Sequence, residues 1–337
     1  MNPNESDLIA LSSLKEKLPS VVSVDENALA KASFDGLKVA FTPAAVVTPK
    51  KASQIGEVLE LANEFKIPVT TKGAGSSLTG GATPLKGGWV LDLSCLNTID
   101  VDADNMLVRC GPGAVISDIQ QKVSEHGLFY PPDPSSKDFC TIGGNIACNA
   151  GGLRCVKYGV TRDYVLSLCG YLPTGEYVQW GRETRKFATG YNIRDLWIGS
   201  EGTLGVVSQA VLRLIRKPDT RKTFLAAFET DREALRAPIE LSGLGVRPSI
   251  LEFLDQWTVK SVQSFTGKEV FPGISPHPVL LIELDGDPDL IEKESVLLEN
   301  WLNETAICSK TADSFEEAEE LWEVRRKGSQ AMKKMAN

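Results

Sequence analysis

The sequence predicts an α+β chain of two domains. Three observations carry this. From residue 41 short apolar runs alternate with a helical stripe and glycine-rich turns, the rhythm of an α/β domain. Pro218 then breaks the chain after a strand-like stretch. Beyond it, strands and helices recur at the spacing of a second, antiparallel sheet with helices on one face. The reading is a helical entry segment at 1–40, a first domain at 41–217 and a second at 218–337.

Residues 6–18 carry an amphipathic helical pattern. The run "AAVVTP" is a short strand stopped by Pro49, and in "KASQIGEVLELANEFKI" Ile55, Val58, Leu59, Leu61 and Ala62 form a helical stripe. "PVTTK" is the next strand and delivers the chain into a glycine-rich loop. "GWVLDLSCLNTI" and "NMLVRCGPG" read as buried strands, and "AVISDIQQKVSEHG" as a helix closed by Gly127. Residues 131–162 are rich in Gly, Pro and Asn with little periodicity, which predicts a long functional loop. "YVLSLCGYLPTGEYVQWG" is a hairpin around Pro173-Thr174-Gly175. Past Pro218, "TFLAAFE", "PSILEFLD" and "PVLLIELDG" are strands. "DREALRAPIELSG" and "PDLIEKESVLLENWLNE" are helices, and a last helix runs from Ser314 to Met335.

The chain has 337 residues, 42% of them hydrophobic and 24% charged, ordinary values for a globular protein with two cores. Its net charge of -8 argues against a nucleic-acid partner. The first twenty residues lack the basic start and apolar core of a signal peptide, and no run approaches the ~20 apolar residues of a membrane span. Peripheral association with a membrane stays open. The seven cysteines include no C-x-x-C pair, so zinc-ribbon and iron–sulfur patterns are absent. The odd count reads as reduced thiols and a cytoplasmic location. His126 and His277 are isolated, so no metal site is predicted.

The chemistry concentrates in three glycine-rich stretches, at 73–81, 143–152 and 199–205. In the first, Lys72 precedes the glycines, against the Walker order, and Gly80 falls two positions late for a Rossmann fingerprint. Glycine lets backbone N–H groups approach a ligand, and successive N–H groups form an anion nest. Three such turns between the strands of one domain predict a large ligand with a diphosphate and an extended flat part.

The segments "TKGAGSSLTGGATP", "PPDPSS", "TIGGNIACNAGGLRCVKYGVTRD" and "GSEGTLGVVSQAVLRL", in that order, resemble the FAD domain of the vanillyl-alcohol oxidase / p-cresol methylhydroxylase superfamily. The similarity is greatest to the branch of the glycolate oxidase flavin subunit, D-lactate dehydrogenase and D-2-hydroxyglutarate dehydrogenase. It covers residues 40–217 strongly and the second domain more loosely. The resemblance implies a PCMH-type FAD-binding domain of two α/β subdomains plus an α+β cap domain. Lys72, Gly73, Ala74, Gly75, Ser76 and Ser77, with Gly80, match the loop around the FAD diphosphate. Pro132, Asp133, Thr141, Ile142, Gly143, Gly144 and Asn145 match the segment near the flavin ring and ribityl chain, continued by Asn149, Ala150 and Gly151. Gly202, Gly205, Val206 and Val207 match the stretch on the adenine side. Ser76 stands where some members attach flavin to a histidine, which implies non-covalent FAD; Cys140 lies beside the position of a second such link.

In "ELWEVRRKGSQAM" the resemblance implies that Arg325, one turn after Trp322, grips the carboxylate of a small 2-hydroxy acid, a planar anion suited to a guanidinium. The implied reaction is oxidation to the 2-keto acid by hydride transfer to flavin N5. Electrons then pass to an iron–sulfur subunit, a quinone or an electron-transfer protein. Glu252 is read as packing at a core edge. Branch members continue for more than a hundred residues and carry a His-rich motif there, so the expectation is a chain lacking its C-terminal portion. The alternative reading is a truncated or degenerate FAD-binding protein or subunit without independent turnover.

Overall fold

The computed structural model describes residues 5–312 and 314–335. The chain divides into two compact units, one of Met1–Gly152 with Val160–Arg216, the other of Leu153–Gly159 with Lys217–Asn337.

The first unit opens with α1 (Glu5–Lys17), β1 (Val22–Ser23), α2 (Glu26–Ala32), β2 (Ala45–Val47), α3 (Ser53–Phe65), β3 (Val69–Lys72) and β4 (Trp89–Asp92). Their strands form a sheet of order β1-β2-β4-β3, with β2, β4 and β3 mutually parallel. The stripe predicted on α3 is its buried face: Ile55, Val58, Leu59 and Ala62 pack with Ala10, Leu14, Trp89 and Leu91. Each large aliphatic side chain buried there contributes about 1.5–3 kcal/mol. Lys66 ends α3 in the left-handed conformation, and its N–H returns to the Ala62 carbonyl.

The chain continues through β5 (Ile99–Asp102), β6 (Leu107–Cys110), α4 (Ile116–Ser124), β7 (Leu128–Phe129), α5 (Ile142–Cys148), α6 (Cys155–Tyr158), β8 (Val165–Tyr171), β9 (Tyr177–Gly181), α7 (Ile193–Trp197), β10 (Val206–Arg213) and β11 (Ile215–Arg216). Of these, α6 belongs to the second unit. The second sheet has the order β5-β6-β10-β8-β9 and is antiparallel throughout; β7 and β11 form a separate two-stranded ribbon. The segment predicted as a loop at 131–162 holds α5, fixed by fully buried Ile142 and Ile146. Two glycines and an asparagine dilute its helical signal in the sequence.

The second unit contains β12 (Thr220–Ala227), α8 (Asp231–Ala234), α9 (Ala237–Leu244), β13 (Ile250–Leu254), α10 (Gln256–Thr266), β14 (Val279–Gly286), α11 (Pro288–Thr305), β15 (Cys308–Ala312) and α12 (Phe315–Met335). Its antiparallel sheet has the order β13-β14-β12-β15. Helices cover both faces, not one as expected. Phe224, Ala226, Leu280, Ile282 and Leu284 pack with α9 and α11 on one side. Leu225, Ala227, Val279 and Leu281 pack with α10 and α12 on the other. The near-continuous apolar run of β14 is the sequence mark of a strand buried twice over. The helix expected over "DREALRAPIELSG" is two helices, because Pro238 suits a first turn and removes an interior donor.

Candidate flavin site

The first unit holds a cleft of about 1160 Å³ of empty space, counting the solvent at its mouth. The three glycine-rich stretches meet on its wall. The β3–β4 loop supplies Gly73, Ala74, Gly75, Ser76 and Ser77. The α5 region supplies Thr141, Gly143, Gly144, Asn145 and Ala150, and the turn before β10 supplies Gly202, Gly205 and Val207.

Among the described residues, the backbone N–H groups of Gly73, Ala74, Gly75, Ser76 and Ser77 take no acceptor from the chain. All five residues line the cleft, and a run of unpaired backbone donors is the kind of nest that binds an anion without cationic side chains. Two buried side-chain atoms on the same wall also lack partners, Thr141 Oγ1 and Asn145 Nδ2, on residues 5% and 4% exposed. Unmet buried polar atoms are costly, so both are set for a ligand rich in hydrogen-bonding groups. Close approach of the walls requires glycine: a Cβ on Gly73 would lie 2.3 Å from Thr141 Oγ1, and one on Gly143 would lie 2.8 Å from Pro112 Cβ.

Eight expected contact residues lie off the wall. Lys72 is buried with its ammonium turned away, donating to the carbonyls of Phe34 at 2.6 Å and Lys31 at 3.0 Å. Ile142 and Val206 are core residues. Pro132 presents its carbonyl to Gln120 Nε2. Asp133 is buried against Gly152, where a Cβ would lie 2.4 Å from its Oδ1. Asn149 caps α5 in the left-handed conformation and accepts the Arg162 N–H. Gly80 makes a turn to Thr83, and Gly151 follows the wall residue Ala150.

The wall also contains residues that sequence reading passed over, notably Pro112, Cys148, Trp197 and Glu201. Glu201 has φ +52, a left-handed position, and stands between Ser200 and Gly202; its place inside the glycine-rich stretch 199–205 was the signal available in the sequence. Cys140 is buried and is not on the wall; burial pushes its thiol above the usual value, which disfavours a reactive thiolate.

In the second unit, Arg325 of α12 donates from Nε to Glu252 Oε2 on β13 at 2.5 Å. Glu252 is therefore an ion-pair partner and not merely packing at a core edge. Among the described residues the two Nη groups of Arg325 take no acceptor, and the side chain is 41% exposed. The end of the guanidinium fork is open. Trp322, one turn earlier, is buried with Nε1 donating to Glu283 at 3.4 Å. Among the described residues no group of His, Cys, Asp and Glu is arranged to hold a metal ion, and no helix is long and apolar enough to cross a membrane.

A parallel-sheet half and an antiparallel half sharing a glycine-walled, donor-rich cleft define a flavin-dinucleotide-binding fold. A family profile described as FAD binding domain matches residues 43–181, and one described as FAD linked oxidases, C-terminal domain, matches residues 217–337. The chain belongs to the FAD-linked oxidases, and its cofactor is FAD. It is 38% identical over 301 residues to the glycolate oxidase subunit GlcD of Bacillus subtilis (strain 168), across 87% of this chain and 62% of that protein. It is 36% identical over 293 residues to D-lactate dehydrogenase of Anaerostipes hadrus, across 84% and 61%. Among solved structures, an alkyldihydroxyacetonephosphate synthase superposes with a TM-score of 0.80 at 19% identity, over 99% of this chain and 65% of that one. A p-cresol methylhydroxylase does so with 0.76 at 16%, over 94% and 69%. These structures share the fold. The chain thus spans about three fifths of the length of the two curated relatives, 62% and 61%.

Proposed function

We propose that this chain carries the flavin site and a substrate-carboxylate anchor of an FAD-dependent oxidoreductase acting on a small 2-hydroxy acid of the glycolate, D-lactate or D-2-hydroxyglutarate type. The observation that carries the reading is the run of unmet N–H donors at Gly73–Ser77 in a cleft on whose wall Thr141 Oγ1 is also without a partner.

FAD, when bound, supplies a two-electron acceptor. The residues of the chain bind and orient. Gly73–Ser77 meet the diphosphate through backbone donors, which suits a protein of net charge -8. Thr141 and Asn145 hydrogen-bond the polar middle of the dinucleotide. Trp197 and Val207 give the wall its apolar surface. Attachment is non-covalent: Ser76 offers no ring nitrogen and Cys140 is buried off the wall. Arg325 meets the substrate carboxylate with the open end of its fork, while Glu252 holds Nε and fixes the plane of the guanidinium. The Bacillus relative is named as a subunit, and the reading extends to this chain: reducing equivalents leave to a partner chain or a diffusible acceptor.

The test is anaerobic titration of flavin-loaded protein with D-lactate, glycolate and D-2-hydroxyglutarate. Bleaching of the visible flavin bands by one acid, lost in Arg325→Ala, is the expected result. Flavin that stays oxidised with all three points instead to a flavin-binding subunit without independent turnover.

A further inference from the structure

Lys72 sits at the foot of the glycine loop, yet its ammonium faces away from the cleft. Nζ donates to Phe34 O at 2.6 Å and Lys31 O at 3.0 Å, both at the end of α2, and lies 5.8 Å from the Phe34 ring centroid. These partners are 38 and 41 residues upstream. The side chain runs beneath Gly75, where a Cβ would meet Lys72 Cε at 2.8 Å; Gly75 also has φ +63, so the loop folds over the lysine only with glycine there. The chain after Phe34 then presses on the loop itself: a Cβ on Gly36 would lie 2.6 Å from Ser77 O and 3.0 Å from Ser76 O. Asp35, 1% exposed, accepts the Leu37 N–H at 2.9 Å, which shapes this contact. The charged groups facing Nζ are Asp92, Asp35 and Lys38.

We propose that Lys72 is a positioning residue of the flavin site: it staples residues 31–36 to the base of the glycine loop, so that the N–H groups of Gly73–Ser77 are fixed before the diphosphate arrives. The residues after α2 are thereby part of the cofactor site, although they precede the FAD-binding match that begins at residue 43. A buried, charged donor held by two carbonyls is a strong tie, and a nest whose amides are already aligned binds an anion without reordering.

This rests on the FAD reading above, and the experiment separates the two. Apoprotein is titrated with FAD by flavin fluorescence, and hydrogen exchange is measured on the apoprotein in segments 31–37 and 73–79. In Lys72→Met, FAD affinity falls roughly 10- to 100-fold, the scale of lost charge-assisted hydrogen bonds. Exchange rises in both segments while α9 and α11 of the second unit keep their protection. Lys72→Arg, which keeps charge and donors, recovers most of both. Gly36→Ala, which pushes on Ser77 without touching Lys72, reproduces the effect and serves if Lys72→Met does not fold. Weakened FAD binding with unchanged exchange in the apoprotein identifies Lys72 as a direct phosphate ligand and overturns the proposal, as does unchanged affinity. Absence of FAD binding by the unmutated chain counts against the flavin reading; the staple then stands or falls on the exchange data.

Discussion

In the proposed function, the flavin cleft and the surroundings of Arg325 recognise anions by opposite means. The cleft uses backbone: unmet N–H groups of Gly73–Ser77, with glycines where the walls approach most closely. The second unit uses one side chain, one of whose five N–H donors is already committed to Glu252. A backbone nest is set by loop geometry and is damaged by any added Cβ. A side-chain anchor is damaged by loss of its own fork and tuned by its partner. Each difference can be broken separately.

The largest effect is expected at Gly75. Gly75→Ala puts a side chain on a residue at φ +63 and places its methyl group 2.8 Å from Lys72 Cε, so the loop must leave its present path. FAD affinity should fall on the order of 100-fold or more, as several aligned hydrogen bonds are lost together, read by fluorescence titration; unchanged affinity would mean that the loop does not line the site. Next comes Arg325→Lys. It keeps charge but loses the planar fork, so binding of a 2-hydroxy acid to flavin-loaded protein should weaken roughly 10- to 100-fold while the FAD dissociation constant stays put. A change in FAD affinity of similar size would erase the contrast between the two regions.

Glu252→Ala is expected to be milder, because the pair is partly exposed and such pairs are worth roughly 0–1 kcal/mol. Acid binding should weaken only a few-fold, by loss of orientation; an effect as large as that of Arg325→Lys would mean that Glu252 itself touches the ligand. The smallest effect concerns the thiols. Burial pushes Cys110 up to about 12 and raises Cys140 too, so neither forms thiolate readily at pH 8. Both should resist iodoacetamide until the protein is denatured, and Cys140→Ser should retain flavin unchanged.

The cleft was more legible in the sequence than the second unit, for a physical reason. Glycine runs report a local constraint, the need for backbone to approach something, and that constraint is visible without a partner. The strand preceding the loop and the hairpin β8–β9 were likewise local. What stayed hidden depends on distant contacts. The Lys72 staple joins residues 38 and 41 apart, and the Arg325–Glu252 pair joins residues 73 apart. The helix α5 is fixed by tertiary burial of Ile142 and Ile146 against weak local propensity. The helix α10 carries buried Val259, Ser261 and Val262 between polar neighbours, too short a stripe to stand out, and with α12 it packs on the opposite face of the sheet from α9 and α11.

The most direct test of the account is whether the purified chain, loaded with FAD and passed through gel filtration, carries flavin. Visible flavin absorbance is expected to travel with the protein and to be released completely when the protein is precipitated with acid. Protein that emerges colourless, or flavin that stays attached to the precipitate, would contradict it.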